Sequence, residues 1–301
     1  MDKNELVLFN KFSTELKTKK EYLFVLNELK EYVGKSILEI EPEDIKSFLK
    51  NLGNTSNTKK KKYHQLLSFY NFIESELTIP NPVKLIPVPK ASKQIKRERT
   101  LEFKEMKLLL DTLYSKFSFR DYLITLIIVT TGLKISEVLN IKFSDFFIDD
   151  NEHIGVKVGG ANNERYVRIF DFVWKEIDKY RKELDIPNFY LKEKYFVFFS
   201  ERKIKEYLEY PSIVKPLSSD WMKKVYTKAC EAAGLPLITS KDIRHNYTML
   251  CMKLGYPSED IKDHLGWSNK EVIYRYHGVV ELLDSPINKR VEGYYKELLE
   301  I

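Results

Sequence analysis

The segment that most restricts the fold of this chain is RDYLITLIIVTTG, residues 120–132. A helix that is apolar on nearly every side has to be surrounded by other parts of the protein. Gly132 ends the segment, and the charged residue Lys134 follows two positions later in TGLKISEVLNI. The sequence therefore predicts a buried helix that places one cation at a glycine turn.

The rest of the pattern predicts a mostly helical protein with one small antiparallel sheet. Residues 5–50 have helical periodicity, and two β-rich runs, HIGVKV and ERYVRIF, flank GGANN in the manner of a hairpin. Helical patterns resume at FVWKEIDKYRKEL. Within the helix TKKKKYHQLLSFYNFIESEL, the predicted core stripe consists of Tyr63, Leu66, Tyr70, Ile73 and Leu77.

A linker divides the chain into two domains. The stretch IPNPVKLIPVPKASKQIKRERT, residues 79–100, is rich in proline and in basic residues and has no period. We predict a helical first domain over 1–92, a basic linker over 93–99 and a second domain over 100–301.

The charge is unevenly distributed. The chain of 301 residues carries a net charge of +6, and residues 51–98 contain nine Lys or Arg against three acidic residues. Such a patch indicates a polyanionic partner, most commonly nucleic acid, with a solvated basic face as the alternative. Four of its lysines begin a helix, where the dipole is already positive and an external phosphate would relieve the repulsion. The predicted phosphate contacts are Lys59, Lys60, Lys61, Lys62, Lys93, Lys96 and Arg97.

Several classes of protein do not fit this sequence. No run of 18 apolar residues predicts a membrane span, and the N-terminus MDKNELVLFNKF lacks the apolar region of a secretory signal. The two cysteines, Cys230 and Cys251, form no metal-binding spacing. We expect a cytoplasmic protein without a structural metal.

Three short motifs carry the candidate chemistry. Lys134-Ile135-Ser136-Glu137 comes first, Lys241-Asp242-Ile243-Arg244-His245 second, and Leu265-Gly266-Trp267 third, with Tyr276 nine residues after the tryptophan. Each motif alone is weak, because charged and aromatic residues usually have surface or core roles. In this order and spacing they resemble the tyrosine recombinases, the phage-integrase and Xer-type enzymes, over almost the whole chain.

The resemblance implies a fold and a reaction. The fold would be a two-domain C-shaped clamp on DNA, with a helical, SAM-like core-binding domain and an α+β catalytic domain. Tyr276 would attack a phosphodiester and form a 3′-phosphotyrosyl bond without any cofactor. Arg244 would clamp the phosphate, and the Trp267 indole would donate a hydrogen bond to it. The partners would be double-stranded DNA with specific recombination sites and further copies of the chain.

Three positions depart from the family pattern. Lys134 stands where the family has its first arginine, and a lysine cannot form the bidentate fork of a guanidinium. Lys241 stands at the family's histidine position. Gly160 occupies the place of the hairpin lysine that serves the leaving group, so Lys157 is the nearest substitute, with an exposed strand lysine as the alternative. A DNA-binding protein that has lost efficient cleavage therefore remains an alternative. A type IB-like topoisomerase shares the chemistry, but the first domain and the terminal helix favour a recombinase.

Two further assignments stay open in the sequence. Tyr274 and Tyr247 compete with Tyr276 as nucleophile, although Tyr247 lies on an apolar helical stripe typical of a core. At the C-terminus, SPINKRVEGYYKELLEI predicts a short amphipathic helix with an apolar stripe. The resemblance implies that it docks on a neighbouring copy, giving a dimer per site and a tetramer across two sites. Docking on its own domain is the alternative.

Overall fold

The structure of this chain is a computed structural model that describes residues 3–14, 19–53, 55–90, 101–160, 164–188, 193–268 and 287–299. It is mostly helical with a small three-stranded antiparallel sheet, which confirms the predicted fold class. The chain divides into two compact units, Met1–Ile95 and Lys96–Ile301. The domain boundaries at residues 92 and 100 remain a prediction.

The described part of the first unit contains the α-helices α1 (Lys3–Phe12), α2 (Lys19–Val33), α3 (Pro42–Asn51) and α4 (Ser56–Leu77). Thr55 caps α4, because its side chain accepts a hydrogen bond from the backbone amide of Thr58 at 3.4 Å. The predicted stripe on α4 is buried at four of its five positions. The exception is Leu77, which is 41% exposed because α4 ends there and Thr78 turns into the left-handed conformation.

In the second unit, other helices pack around the central helix α6. The helices of its described part are α5 (Phe103–Lys116), α6 (Phe119–Thr131), α7 (Ile135–Leu139), α8 (Asp171–Glu183), α9 (Ile204–Glu209), α10 (Ser219–Ala233), α11 (Ser240–Lys253), α12 (Ser258–Leu265) and α13 (Ile287–Leu299). Every residue of α6 from Leu123 to Thr131 is buried, and α6 contacts α5, α7, α8, α11 and α13. The predicted buried helix is therefore confirmed. Gly132 ends it with a φ of +65°, a conformation that glycine adopts without strain.

The sheet has the order β1-β2-β3, with β1 (Phe146–Ile148), β2 (Ile154–Val158) and β3 (Arg165–Arg168). Both pairs are antiparallel, and Val156 faces Phe146 on one side and Val167 on the other. The strands β2 and β3 correspond to the predicted hairpin. The strand β1 was not predicted, because three residues are too few to show an alternating pattern.

The C-terminal helix α13 packs on the unit to which it belongs. Val291, Tyr295 and Leu298 are at most 1% exposed and belong to the core of the second unit. The Tyr294 ring meets the Phe103 ring edge to face, with centroids 5.5 Å apart. In the single chain these residues of the apolar stripe are therefore covered in cis. Docking on a neighbouring copy, which the family resemblance implies, remains a prediction for the assembled protein. A helix this short gains its stability from burying such a stripe, and its own domain supplies the nearest groove.

Candidate active site

The glycine turn after α6 presents Lys134 at the start of α7. Lys134 is the N-cap residue, with an extended backbone, and its side chain is 44% exposed. Its backbone amide donates a hydrogen bond to Glu137 Oε2 at 2.8 Å, and its Nζ lies 3.8 Å from Glu137 Oε1. Glu137, three residues after Lys134, thus holds the Lys134 backbone in place, while the ammonium group stays accessible.

Arg244 joins three parts of the second unit. It lies in the second turn of α11 and is 9% exposed. Its Nη1 donates to the carbonyl oxygen of Gly132 and its Nη2 donates to that of Leu265, both at 2.6 Å. A guanidinium has five N–H donors, so these two bonds do not exhaust it. Arg244 therefore fastens the Lys134 turn and the segment before Trp267 to the start of α11.

Glu137 lies among three cations. Arg165 contacts it bidentately at 2.9 Å, while Lys134 Nζ and Arg244 Nη1 each lie 3.8 Å from it. Burial raises the pKa of Glu137, but the hydrogen bonds from Arg165 and from the Lys134 amide outweigh burial and hold that pKa below its usual value. The carboxylate is thus ionised at neutral pH, and the cluster keeps an excess of positive charge that suits a phosphodiester.

Lys241 and Trp267 are close in sequence to residues of this cluster, to Arg244 and to its partner Leu265 respectively. Lys241 is exposed in the first turn of α11, three residues before Arg244. Trp267 is partly buried against the core of the second unit, and its backbone amide donates to the Lys262 carbonyl oxygen at 3.0 Å. Because Arg244 holds the neighbouring Leu265 carbonyl, the Trp267 backbone is tied to the same arginine that we predict to bind phosphate.

Lys157 occupies an exposed position on β2. It faces Tyr166 across the hairpin, and its Nζ forms an ion pair with Glu164 at 2.9 Å. The hydrogen bond to Glu164 raises the pKa of Lys157 above its ordinary value. Gly160 follows β2 and is exposed, and a Cβ built there would have no atom of the described residues within 4 Å, its chain neighbours aside. The described residues therefore do not obstruct a β-carbon at position 160, although this chain carries no lysine there.

The three candidate nucleophiles differ in what the structure says of them. Tyr276 and Tyr274 lie outside the described residues, so their roles stay predictions. Tyr247 is 2% exposed, and burial raises its pKa well above the usual value. Its hydroxyl lies 2.9 Å from His264 Nε2. A buried phenol that resists ionisation is a poor nucleophile, so Tyr247 belongs to the core, as its stripe indicated.

The basic run at the start of α4 is less uniform than the sequence suggested. Lys59 donates to the Lys50 carbonyl oxygen at 2.9 Å, and Lys61 pairs with Glu21 at 2.6 Å, yet both retain exposed surface. Lys60 is intermediate in exposure. The prediction that Lys62 contacts phosphate is wrong for this conformation, because its side chain is only 8% exposed.

The Lys62 ammonium is instead part of the first unit's own packing. It bonds to Glu28 at 2.5 Å and lies 5.8 Å from the ring centres of Phe24 and Phe48. Helix position explains the exception, since one of four consecutive lysines has to face α2 and the core. The linker residues Lys93, Lys96 and Arg97 lie outside the described residues.

Two residues that form a bidentate ion pair in the site had no role assigned from the sequence. Glu137 was part of a motif, but its pairing with Arg165 was not foreseen, and Arg165 was not singled out at all. The signal for Glu137 was its three-residue spacing from Lys134, which allows the side chain to reach the N-cap amide. No local pattern could have paired it with Arg165, 28 residues away.

Comparison with known proteins identifies the family of the second unit. A model of the phage integrase family matches residues 99–281. The chain belongs to the phage integrase family. The match covers all three motifs, the position of Tyr276 and the three exposed lysines Lys134, Lys157 and Lys241. This confirms the family that the motifs indicated.

Curated relatives from this family are tyrosine recombinases. Tyrosine recombinase XerC of Caldanaerobacter subterraneus subsp. tengcongensis is 30% identical over 159 residues, which are 52% of this chain and 43% of that protein. A tyrosine recombinase of Thermosipho africanus is 27% identical over 248 residues, 79% of this chain and 80% of the relative. The similarity to the second relative extends into the first unit.

Solved structures of this family share the fold. XerH recombinase bound to palindromic difH substrate, in a post-cleavage complex, superimposes with a TM-score of 0.69 at 18% identity over 97% of this chain and 83% of that one. A lambda integrase dimer bound to a COC′ core site gives a TM-score of 0.63 at 16% identity, covering 93% and 98%. At these identities the likeness establishes the fold of the chain and leaves its substrate to be argued.

Two further findings on the described residues concern membrane-spanning helices and metal-binding clusters. None of the helices in that part of the chain is both long and apolar enough to cross a membrane. Within the same residues, no three His, Cys, Asp or Glu side chains gather into a group that could hold a metal ion.

Proposed function

We propose that this chain is a site-specific DNA recombinase that cuts and rejoins strands through a 3′-phosphotyrosyl intermediate. The observation that supports this most is the placement of Lys134 and Arg244 on either side of Glu137, at the end of a buried helix. The two cations can meet the non-bridging oxygens of a phosphodiester, which gain charge in the transition state. Membership of the phage integrase family supports the same reaction.

Each step exchanges one phosphate ester bond for another, so the reaction needs no high-energy cofactor. The Tyr276 oxygen attacks phosphorus, a phosphorus–tyrosine ester forms, and the bond from phosphorus to the 5′ oxygen breaks. The phenol gives up its proton and the 5′ oxygen takes one, so a 5′-hydroxyl is released. Attack by a 5′-hydroxyl of the partner strand reverses these steps and rejoins the DNA. The phosphodiester bond is conserved as the tyrosyl ester, which is why the resemblance implies no cofactor.

Each site residue has a role in this proposal. Arg244 binds the non-bridging oxygens through a guanidinium whose geometry matches them, and Lys134 adds a point charge. Lys241 and the Trp267 indole donate further hydrogen bonds. Lys157 would protonate the leaving 5′ oxygen. An ion pair that raises its pKa makes an ammonium a weaker acid, so the contact with Glu164 has to open when DNA binds.

The proposed partners are double-stranded DNA with specific recombination sites and further copies of the chain. Solved relatives are a lambda integrase dimer bound to a core site and a lambda integrase tetramer bound to a Holliday junction. These support a dimer per site and a tetramer across two sites for this chain. The biological setting would be integration or excision of a mobile element, or Xer-like resolution of chromosome dimers.

A second candidate function is DNA binding without efficient cleavage. Lys134 in place of the family's arginine, together with exposed Gly160 in place of its hairpin lysine, favours it. Losing one bidentate contact to a developing oxyanion costs on the order of 10²–10³ in rate. The chain would then keep the fold and the basic surface of a recombinase.

A nicked suicide substrate separates the two candidates. DNA with a nick a few nucleotides downstream of the scissile phosphate releases the short fragment that carries the new 5′-hydroxyl, so the strand cannot be rejoined and the covalent protein–DNA product accumulates. Candidate element ends and Xer-type sites serve as substrates, and a gel-shift assay records binding in parallel. Covalent product with the wild-type chain supports the recombinase. Binding without covalent product, for both the wild-type chain and Lys134→Arg, supports the second candidate.

A further inference from the structure

Arg165, which lies in the hairpin and outside the three short motifs, connects the β-hairpin to the candidate active site. It opens β3, and its side chain is 10% exposed. Its Nη1 donates to Glu137 Oε1 and its Nη2 donates to Glu137 Oε2, both at 2.9 Å. Its Nε donates to the carbonyl oxygen of His264 at 2.8 Å. One guanidinium thus joins β3, α7 and the last turn of α12.

The same guanidinium lies directly against the turn before Trp267. Gly266 has a φ of +62°, and a Cβ built on it would lie 2.6 Å from Arg165 Nη1. Only a glycine leaves room for the guanidinium at this distance and adopts this backbone conformation without strain. The position of the Trp267 backbone is therefore determined from one side by Arg165 and from the other by Arg244, which holds the Leu265 carbonyl.

The contacts of Glu137 show how Arg165 affects the positive charge of the site. The carboxylate accepts a hydrogen bond from the backbone amide of Lys134 at 2.8 Å. The ammonium of Lys134 and the Nη1 of Arg244 each lie 3.8 Å from it. Without Arg165 this largely buried carboxylate would lose its bidentate partner. The carboxylate would then turn towards Lys134 and Arg244 and neutralise positive charge that a phosphate needs.

We propose that Arg165 is a positioning residue of the cleavage site, which pairs with Glu137 so that Lys134 and Arg244 present their charge to the scissile phosphate. Arg165 itself does not touch the reacting atoms; it acts through Glu137 and through the Gly266 turn. The cleavage role rests on the proposed function, whereas the effect of Arg165 on Lys134 exists in the DNA-free chain.

The variants are Arg165→Met, Arg165→Lys and the double variant Arg165→Met with Glu137→Gln. The matched control is Arg181→Met. The Arg181 side chain in α8 is 6% exposed, against 10% for Arg165, and has the same kinds of partner, since its Nη2 donates to Asp178 at 2.7 Å and its Nη1 to the Ile186 carbonyl at 2.5 Å. It has no contact with the site residues, so it reports the general cost of removing a buried arginine.

Amide hydrogen exchange of the DNA-free chain tests the structural half of the inference. In Arg165→Met, the Lys134 amide should exchange at least about tenfold faster, because its acceptor Glu137 is released, while Arg181→Met leaves it unchanged. Arg165→Lys should fall between them, and it replaces Arg165→Met if that variant does not fold. Unchanged exchange at Lys134 overturns the inference, whether or not any DNA is cleaved.

Single-turnover cleavage of the suicide substrate tests the functional half. At saturating DNA, Arg165→Met should cleave at least about tenfold more slowly with its DNA dissociation constant within about threefold of wild type. The double variant should recover part of the rate, because the unpaired carboxylate is gone. A purely structural role predicts instead equal losses for Arg165→Met and Arg181→Met, and no recovery. If the wild-type chain forms no covalent product but Lys134 exchange responds, the proposed function fails and the positioning of Lys134 by Arg165 stands.

Discussion

At position 134 the shape of the cation matters as much as its charge. A guanidinium offers two parallel N–H donors to a phosphate, whereas the Lys134 ammonium is a point charge that lies 3.8 Å from Glu137. Its side chain is 44% exposed, so a longer side chain has space at this turn. We therefore expect Lys134 to support phosphate binding and to slow cleavage relative to an arginine at this position.

We predict that Lys134→Arg raises the rate of covalent product formation by at least about tenfold, because a bidentate contact to the transition state is regained. Single-turnover cleavage of the nicked substrate measures this. Lys175→Arg, at an exposed position of α8, is the control for adding a guanidinium to the surface. An unchanged or lower rate for Lys134→Arg would show that the site is adapted to lysine or limited elsewhere, for example at Gly160.

Glu137 predicts a pH dependence of stability. Its pKa is lowered in the folded chain, so its ionised form contributes stability that is fully present above its ordinary pKa, near 4.5, and is lost as pH falls through the lowered value. Urea unfolding from pH 7 to pH 3 should therefore show a difference between wild type and Glu137→Gln that shrinks as pH falls. A difference that stays constant over this range would contradict the pairing with Arg165.

At the scale of single elements, periodic segments were predicted well and individual residues less well. The helices α1 to α4 follow from apolar spacing and from caps such as Thr55, which are local signals. Lys62 shows the limit of such signals. A run of four lysines looks uniform in the sequence, but the helix turns one of them towards Glu28 and two aromatic rings. Only the packed structure distinguishes it from Lys60.

This difference predicts opposite effects of two neighbouring substitutions. Lys60→Ala should leave the free energy of unfolding nearly unchanged and lower the slope of log K against log salt by about one, as expected for one lost phosphate contact. Lys62→Ala should destabilise the first unit, because it leaves Glu28 without its buried partner. Filter-binding titrations over a range of salt and urea unfolding measure the two effects. A wild-type salt slope for Lys60→Ala would assign that lysine to solvent.

The helix α13 gives a second prediction at this scale. Tyr295 is 1% exposed in the core of the second unit, so Tyr295→Ala should lower the free energy of unfolding by about 3–5 kcal/mol, the usual loss for a large buried aromatic side chain. Glu297→Ala, at an exposed position of the same helix, should change it by less than about 0.5 kcal/mol. The measurement is denaturant unfolding of the monomer. Equal stability of the two variants would mean that α13 does not pack in cis in solution.

At the scale of the whole molecule, the sequence was sufficient for the fold class and insufficient for the connections within the site. Motif order indicated the family, and the family model confirms it over residues 99–281. The bonds that assemble the site join residues far apart in the chain, such as Arg244 with Gly132 at a separation of 112 residues. A local pattern contains no information about such pairs, which is why Arg165 was not predicted. The packing of α13 likewise depends on which groove is available.

The measurement that tests the central claim most directly is the identity of the residue that becomes attached to DNA. The wild-type chain is incubated with the nicked suicide substrate, the covalent product is digested, and the modified peptide is sequenced by mass spectrometry. We predict a 3′-phosphonucleotide on Tyr276, and no covalent product from Tyr276→Phe, which should still bind DNA. A modified Tyr274, or covalent product that survives Tyr276→Phe, would contradict the assignment of the nucleophile. The absence of any covalent product from both the wild-type chain and Lys134→Arg, on DNA that they bind, would contradict the proposed strand cleavage itself.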